Sequence, residues 1–383
     1  MRILERDVNT GTFRGSPVSI LSAFGRPYSS ELLEDETNLR LLRMLVSGEC
    51  VSVNINALSK LVRRHRNTVR NDVVRLLENH VVNPPVCPFM GLYREYPLLV
   101  IVRADLPDEK PVRDWIVEDP YIFAAYRSRY AEYNMLLLVY HKDVLGYQLW
   151  RESLIEERKI PPREIRIPSS SIYVSNQLMM KYDPSAAIGL IEAEVNQKGK
   201  IEINGIELDK DQFNVLKHLV SSRVFKINEN LLSRQLRIHR KTVMRRVEQL
   251  IKEKWILDPT CRFPDLLCPP NYVLAYALVD ILKARDRIRQ ALLNDPHVSI
   301  ALKVSIGGYN ALLFTAHPDI SEHMEWEQTF SKRFPGCIGR VDVSYLSPRN
   351  KITIDQQYVS LCIIDSRLAR LRGRKFREAT RVS

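Results

Sequence analysis

The chain contains one long pattern twice, and this duplication constrains its fold more than any other feature. The stretch HRNTVRNDVVRLLENHVVNPPVCPF begins at His65, and HRKTVMRRVEQLIKEKWILDPTCRF begins at His239, an offset of 174 (239 minus 65). The segments LLRMLVS and VLKHLVS keep that offset, and later Asp-Pro, Tyr-Asn and His-x-Asp motifs recur at an offset of 176. Because solenoid units repeat every 20–50 residues, this longer period predicts two copies of one pair of domains.

Composition narrows the classes of partner. With 383 residues the chain suits two to four domains, and its net charge of +12 favours a polyanionic partner. No apolar run is as long as a membrane span and the start MRILERDVNT lacks a signal-peptide core, so we expect a cytoplasmic protein without membrane contact. Six scattered cysteines, without a closely spaced pair, predict reduced thiols, no metal site and no cofactor.

Each copy opens with apolar residues at helical spacing. In the first copy TNLRLLRMLVS and NINALSKLV predict two helices, and the short basic turn RRH leads to a third with a stripe of Val69, Val73, Leu76 and Leu77. This order of helix, turn and helix is typical of a helix-turn-helix (HTH) unit.

The face opposite that stripe indicates nucleic acid. Arg and Asn at the start of a recognition helix donate paired hydrogen bonds to guanine and adenine edges, and flanking arginines meet phosphates. One basic helix is as often a solvated surface, but two copies that share turn and charge favour DNA. The candidate DNA-binding residues are Arg63, Arg64, His65, Arg66, Asn67, Thr68, Arg70, Asn71, Arg75, Arg237, His239, Arg240, Lys241, Thr242, Arg245 and Arg246.

For four of these residues a structural role competes with DNA contact. Thr68 and Thr242 lie between the outward face and the stripe, where helix packing explains them as well as a phosphate contact does. His65 and His239 precede the recognition helices, which suits a helix cap or a phosphate contact better than a metal ligand.

After the Pro-rich joints NPPVCPF and CPPN, both copies change period. The second copy predicts strands at 272–280, 297–305, 309–317 and 337–346, with helices at 283–295 and 320–334. This β-α-β-β-α-β order is the ferredoxin-like arrangement, in which two helices cover one face of a sheet. The first copy follows with segments at 98–106, 121–130, 133–141, 144–158 and 164–174.

These residues resemble the Lrp/AsnC (leucine-responsive, feast/famine) transcription regulators, at the level of pattern, over most of 37–174 and 208–346. The resemblance implies an α+β fold in which winged HTH domains alternate with ferredoxin-like regulatory domains that dimerise through their sheets. It also implies an amino-acid effector site, for which Gly307, Gly308, Tyr309 and Asn310 are candidates. Two departures stand out: Arg63 and Arg237 replace the turn glycine, and IGGYN becomes YAEYN in the first copy.

If the resemblance holds, one chain carries a complete pair of recognition helices. We expect the two regulatory domains to form an intramolecular pseudo-dimer and the non-identical helices to bind an asymmetric operator on double-stranded DNA. The expected partners are that DNA, a small-molecule effector such as an amino acid, and a second copy of the chain in a homodimer.

The expected organisation has seven parts. These are an N-terminal lead (1–36), winged HTH domains (37–90 and 208–264), ferredoxin-like domains (97–175 and 271–347), a linker with a hairpin at Asn204-Gly205 (176–207), and a basic C-terminal tail (348–383). The tail is interpreted as an arm on the DNA backbone or as a solvated segment.

Two other function classes stay open. Tandem Lrp-like chains also resemble siroheme decarboxylases, for which Arg127, Arg129, Tyr133 and His141 would be the residues to suspect. A strand-end histidine that caps a helix explains His141 and His317 better. An RNA-binding or basal-transcription accessory role is compatible with the same helices. The sequence contains no nucleotide-binding glycine loop and predicts no catalytic residues.

Overall fold

The computed structural model describes residues 30–127, 133–156, 172–175, 179–221, 224–306, 308–346, 351–352 and 357–382, and these form a mixed α+β structure. The helices are α1 (Glu36–Val46), α2 (Ile55–Val62), α3 (Arg66–Glu78), α4 (Leu92–Glu95), α5 (Lys110–Glu118), α6 (Val144–Glu156), α7 (Ile188–Lys198), α8 (Lys210–Val220), α9 (Glu229–Leu236), α10 (Arg240–Lys252), α11 (Arg285–Asn294), α12 (Ile320–Arg333) and α13 (Tyr358–Val382).

The strands alternate with these helices along both copies. They are β1 (Val51–Val53), β2 (Leu98–Ala104), β3 (Ile122–Arg127), β4 (Met135–His141), β5 (Ile172–Ser175), β6 (Met179–Tyr182), β7 (Lys200–Ile203), β8 (Ile206–Asp209), β9 (Phe225–Ile227), β10 (Val273–Ile281), β11 (Val298–Ile306), β12 (Tyr309–His317), β13 (Ile338–Leu346) and β14 (Lys351–Ile352).

Two three-helix units, which we call the HTH units, lie at equivalent places in the two copies, and we call their last helices, α3 and α10, the recognition helices. The first comprises α1–α3 and the second α8–α10, and each begins at an aspartate that caps its first helix. Asp35 accepts a hydrogen bond from the backbone N–H of Asn38 at 2.9 Å, while Asp209 and Gln212 form a reciprocal capping box. Most residues of the apolar faces that the sequence predicts, including Leu42 and Leu216, are fully buried, and Leu77 is half-buried.

Each copy then forms one layer of strands, and we call the two units the first sandwich (β2–β5 with α5 and α6) and the second sandwich (β10–β13 with α11 and α12). In each, the fourth strand lies beside the first, and the third lies between the first and second. A fifth strand is added from the other copy: β6 pairs with β11, and β14 pairs with β3. The chain therefore exchanges a strand in both directions between the two sandwiches.

The two sheets pack face to face. Leu99, Ile101 and Leu138 on the first sheet share one apolar core with residues of the second sheet such as Leu278 and Phe314. The opposite face of each sheet is covered by its own two helices, which gives a separate core in each sandwich. The intramolecular pairing of sheets expected from the duplication is thus observed.

The HTH units also pair, through backbone strands. Strand β1 pairs with β9 so that Ser52 lies opposite Lys226, and the segments after α3 and α10 pair so that Val86 lies opposite Thr260. Both pairs are related by the repeat offset of 174, so a pseudo-twofold axis passes between them. No β-hairpin follows α3 or α10 in the described residues. The segments after these helices, where a wing would be expected, pair with each other and join the two units.

The regions expected to be a linker and a tail are folded. Helix α7 packs against α8, and the hairpin β7–β8 turns at Asn204 and Gly205, which both have positive φ. Helix α13, which contains the basic C-terminal stretch, packs against α1 and buries Ile364 and Leu368. Its apolar stripe therefore attaches the basic stretch to the first HTH unit. Of the expected lead, residues 1–29 lie outside the described residues, and 30–34 form a 3₁₀ turn.

Candidate nucleic-acid interface

The turn before each recognition helix has the same geometry in both HTH units. Arg63 and Arg237 end α2 and α9 in the left-handed region, at φ of 55° and 54°. This is the conformation in which glycine is least strained, so the arginines stand where the resemblance predicts glycine. His65 and His239 follow as N-caps, and their Nδ1 atoms accept hydrogen bonds from backbone N–H groups at 3.3 and 3.2 Å.

Most candidate DNA-binding side chains lie on one exposed face of each recognition helix. On α3 this exposed face starts at the N-terminus of the helix and lies opposite the buried Val69 and Val73. Thr68 and Thr242 lie at the border of the exposed face on their helices and are half-buried. The exposed members are Arg63, His65, Arg66, Asn67, Arg70, Asn71, Arg75, Arg237, His239, Arg240, Lys241 and Arg245. Among them Arg240 forms an ion pair with Glu229 at 2.7 Å.

Two of the predicted arginines have partners across the HTH interface. Arg246 contacts the start of α1, with 3.0 Å to the Asp35 carboxylate and 2.6 Å to the Asn38 side-chain oxygen. Arg64 bonds Asp72 at 3.1 Å and approaches Asp211 of the second unit at 3.8 Å. The structure thus gives both arginines a role in joining the two units.

The carboxylates in this interface respond differently to their surroundings. For Asp35, burial acts to raise the pKa, but the Asn38 N–H and Arg246 outweigh it and the pKa is lowered. For Asp72, burial dominates and the pKa is raised, although Arg64 acts in the opposite direction. The Asp35–Arg246 contact is accordingly the better matched ion pair of the two.

The residues proposed for an amino-acid effector are occupied by internal contacts. Gly307 lies outside the described residues, and the Arg340 guanidinium lies above Gly308 and 5.5 Å from the Tyr309 ring centre. Asn310 accepts from the Ile281 N–H and donates to the Ile281 carbonyl, both at 2.9 Å. Asn134 bonds Leu106 in the same way, so the repeated Tyr-Asn motif has a structural explanation.

The residues suspected for tetrapyrrole chemistry do not converge. Arg127 lies opposite Met135 at the start of β4 and binds Asp108 through two hydrogen bonds of 2.8 and 2.9 Å. His141 ends the same strand six residues later, which places it roughly 20 Å away. Tyr133 lies at the Arg127 end, and Arg129 is outside the described residues.

A buried polar cluster in each sandwich was not singled out from the sequence. Asp119 accepts hydrogen bonds from the indole N–H groups of Trp115 (3.1 Å) and Trp150 (2.9 Å), and Asp295 accepts from Trp326 (2.8 Å) and His297 (2.9 Å). The repeated Asp-Pro and His-x-Asp motifs were the signal, since they mark these aspartates and the neighbouring strand-end histidines.

Other chemistry has little support in the described residues. All six cysteines are free, and the described part of the chain contains no cluster of His, Cys, Asp and Glu arranged to hold a metal ion. No helix among the described residues has the length and apolar character needed to cross a bilayer.

Comparison with known proteins finds partial structural similarity at low sequence identity. No protein-family model matches the chain, and no curated protein matches it. The siroheme decarboxylase NirDL aligns over 88% of this chain and 100% of its own, with a TM-score of 0.46 and 9% identity. An AsnC family transcriptional regulator from Agrobacterium tumefaciens aligns over 30% and 74%, with a TM-score of 0.24 and 15% identity. A chlorite dismutase from Candidatus Nitrospira defluvii aligns over 73% and 98%, with a TM-score of 0.31 and 10% identity. None of these scores indicates what this chain binds or catalyses.

Proposed function

We propose that the chain is a tandem regulator that binds double-stranded DNA through α3 and α10, with ferredoxin-like sandwiches holding two winged-HTH-derived units in one polypeptide. The observation that carries this proposal is the pair of exposed, cationic helix faces related by a pseudo-twofold axis. Local twofold symmetry matches the symmetry of duplex DNA, where paired HTH units meet successive major grooves.

The charge distribution supports the same proposal. Asp72 and Arg246, which occupy equivalent positions in the middle of α3 and α10, both face the neighbouring HTH unit, so the interface takes one side of the middle of each recognition helix. The N-terminal parts, which insert first in HTH complexes, remain exposed with Arg66 and Asn67 on one helix and Lys241 on the other.

The two recognition helices are expected to prefer different half-sites. At the repeat offset, Arg70 is replaced by Met244, and Asn71 is replaced by Arg245. Arginine favours guanine and asparagine favours adenine, whereas methionine offers only apolar contact. Selection from random duplexes would then yield two unlike half-sites.

The test is DNA affinity measured by fluorescence anisotropy on mixed-sequence duplexes at two salt concentrations. Changing Arg66, Arg70, Arg240 and Arg245 to Ala should weaken binding at least 100-fold and flatten the salt dependence, because each lost phosphate contact removes about 0.9 from the log–log slope. A matched control changes Lys110, Lys142, Lys283 and Arg285, four exposed cations of the sandwiches, to Ala. Equal affinity of the two variants would refute the proposal.

In the described part of the chain, the residues suspected for the enzyme alternative share no pocket, because Arg127 and His141 lie at opposite ends of β4. The cavity between the two sheets has a volume of about 30 Å³, whereas ligand pockets for drug-sized molecules are roughly 300–1,000 Å³. An open cleft of about 620 Å³ on the second sandwich is lined by none of the suspected residues. An absorbance spectrum of the purified protein with and without added siroheme tests the enzyme alternative directly; a stoichiometric Soret shift would revive the decarboxylase proposal.

A further inference from the structure

A small cavity lies between the two sheets, beside the segments that join the HTH units to the sandwiches. Its volume is about 30 Å³, and its polar lining consists of Tyr93, Tyr140, Tyr182 and Arg262. One water needs roughly 10–15 Å³ by the same measure, so the space suits two waters or one small ion.

Arg262 is the unusual member of this lining. It is 8% exposed, and its guanidinium donates to the Tyr182 hydroxyl at 3.3 Å. Among the described residues it forms no ion pair, and a hydroxyl does not neutralise its charge. A buried cation without a counter-charge is unfavourable, so this position calls for an anion.

The charge is specific to the second copy. At the repeat offset of 174, Pro88 occupies the position of Arg262, and the backbone around both residues is used in the same way. Asn83 donates to the Arg262 carbonyl at 2.8 Å, and Leu257 donates to the Pro88 carbonyl at 3.0 Å. The fold at this joint therefore does not depend on an arginine side chain.

The rest of the lining suits anion binding. The Tyr93 and Tyr140 side chains hydrogen-bond each other, and burial raises the pKa of both, so both hydroxyls stay protonated. One proton is used between the two rings, and the other remains to donate to an anion. Apolar side chains such as Leu99 and Phe314 complete the wall and strengthen any charge-assisted hydrogen bond by excluding water.

We propose that this cavity binds one small monovalent anion, of the size of chloride or formate, between the Arg262 guanidinium and the tyrosine hydroxyls. Bound there, the anion links the segment that follows α10 to β4 of the first sheet and to β6. It is a ligand site separate from the recognition helices, and it does not depend on DNA binding.

The test is thermal unfolding of the full chain at pH 8 and constant ionic strength, in sodium chloride, sodium formate or a bulky sulfonate that exceeds the cavity. The parent should unfold about 2 °C higher in whichever small anion binds, because a ligand that binds only the folded state stabilises it. Comparison of the chloride and formate arms separates a halide site from a carboxylate site.

The matched variants are Arg262→Met and Arg94→Met. The first should lose the anion-dependent shift; the second should keep it, because Arg94 donates to the carbonyls of Glu253 and Lys254 and stacks on Trp255. No shift in the parent, or equal shifts in the parent and Arg262→Met, would overturn the proposal. If Arg262→Met does not fold, parent crystals grown in bromide and in formate decide: an anomalous bromide peak or formate density beside Arg262 supports the site, and the absence of both rejects it.

Discussion

The buried clusters of the two sandwiches share a frame and differ in chemistry. In both, an aspartate binds a tryptophan of the second helix, and a strand-end histidine packs against them. At the offset of 176, Tyr121 of the first copy is replaced by His297, and Tyr147 is replaced by His323. The first cluster is therefore mainly aromatic and the second contains three histidines, so the duplicated fold accommodates titratable neighbours around a shared aspartate.

The HTH units give a second comparison. Asp72 and Arg246 occupy equivalent positions with opposite charge, and both lie against the first helix of the other unit. The helix caps Asp35 and Asp209 also occupy equivalent positions, so Arg246 binds an opposite charge whereas Asp72 lies near a like charge. The favourable charge contact of this interface is therefore the one that Arg246 makes.

The largest difference is expected from removing the cluster aspartates. Asp119→Ala leaves two buried indole N–H groups and the Tyr121 N–H without this acceptor. Each unsatisfied donor costs about 1–3 kcal/mol, so the variant should lose about 3–5 kcal/mol of unfolding free energy. Asp295→Ala should cost about 2–3 kcal/mol, because it leaves one indole and the His297 backbone N–H without this acceptor, while the partly exposed His297 ring can bond water. Urea unfolding measures both, with Asp→Asn as the control that keeps an acceptor. Equal losses would contradict this account.

Acidification should lower the unfolding free energy, and the buried histidines of the two sandwiches should contribute to that loss to different extents. Burial lowers the pKa of His141 to about 4 and that of His317 to about 3, and burial also lowers the pKa of His323. Since the unfolded chain titrates near 6.5, it binds more protons below that pH, and the stability present above pH 6.5 is lost as the pH falls towards the folded values.

For His141 or His317 that loss is about 2 kcal/mol between pH 7.5 and pH 5. His141→Phe should reduce the acid-induced loss of stability by about 2 kcal/mol. The double change His317→Phe and His323→Tyr should reduce it further; the second substitution introduces the tyrosine that the first copy has at this position. Urea unfolding at the two pH values gives the result; an unchanged acid sensitivity in both variants would rule out these histidines as its source.

The smallest effect concerns the turns, where the copies should behave alike. Arg63→Gly and Arg237→Gly relieve left-handed strain of nearly equal φ, so each should raise the unfolding free energy by about 0.5–1 kcal/mol. Arg234→Gly, at an exposed position inside α9, is the control and should destabilise by about 1 kcal/mol. A loss of stability in either turn variant would show that the arginine makes a compensating contact.

Periodicity and repeats predicted the local structure well. The apolar stripe of α3, the hairpin at Asn204-Gly205 and the strand–helix order of the second copy all follow from spacing within one segment. The first-copy helix α5 was missed. Its sequence KPVRDWIVE is short and starts with proline at its second position, which weakens the helical signal.

Contacts between copies could not be read in the same way. Strands β6 and β14 are four and two residues long, and their partners are in the other copy, so no local pattern reveals them. The same reason hid the packing of α13 on α1 and the ion pair between Arg246 and Asp35. Spacing within one helix predicts which candidate side chains share an exposed face, whereas Arg64 and Arg246 have partners in the other unit, which leave no local signal.

The position of α13 has a consequence for biosynthesis. It covers α1, although 311 residues separate the end of α1 at Val46 from the start of α13 at Tyr358. A ribosome therefore synthesises the helices of the first HTH unit long before it synthesises α13. Until then the side of α1 that α13 covers remains exposed. Truncated translation products should expose that side, and chaperones and proteases that recognise exposed apolar surface would select against them.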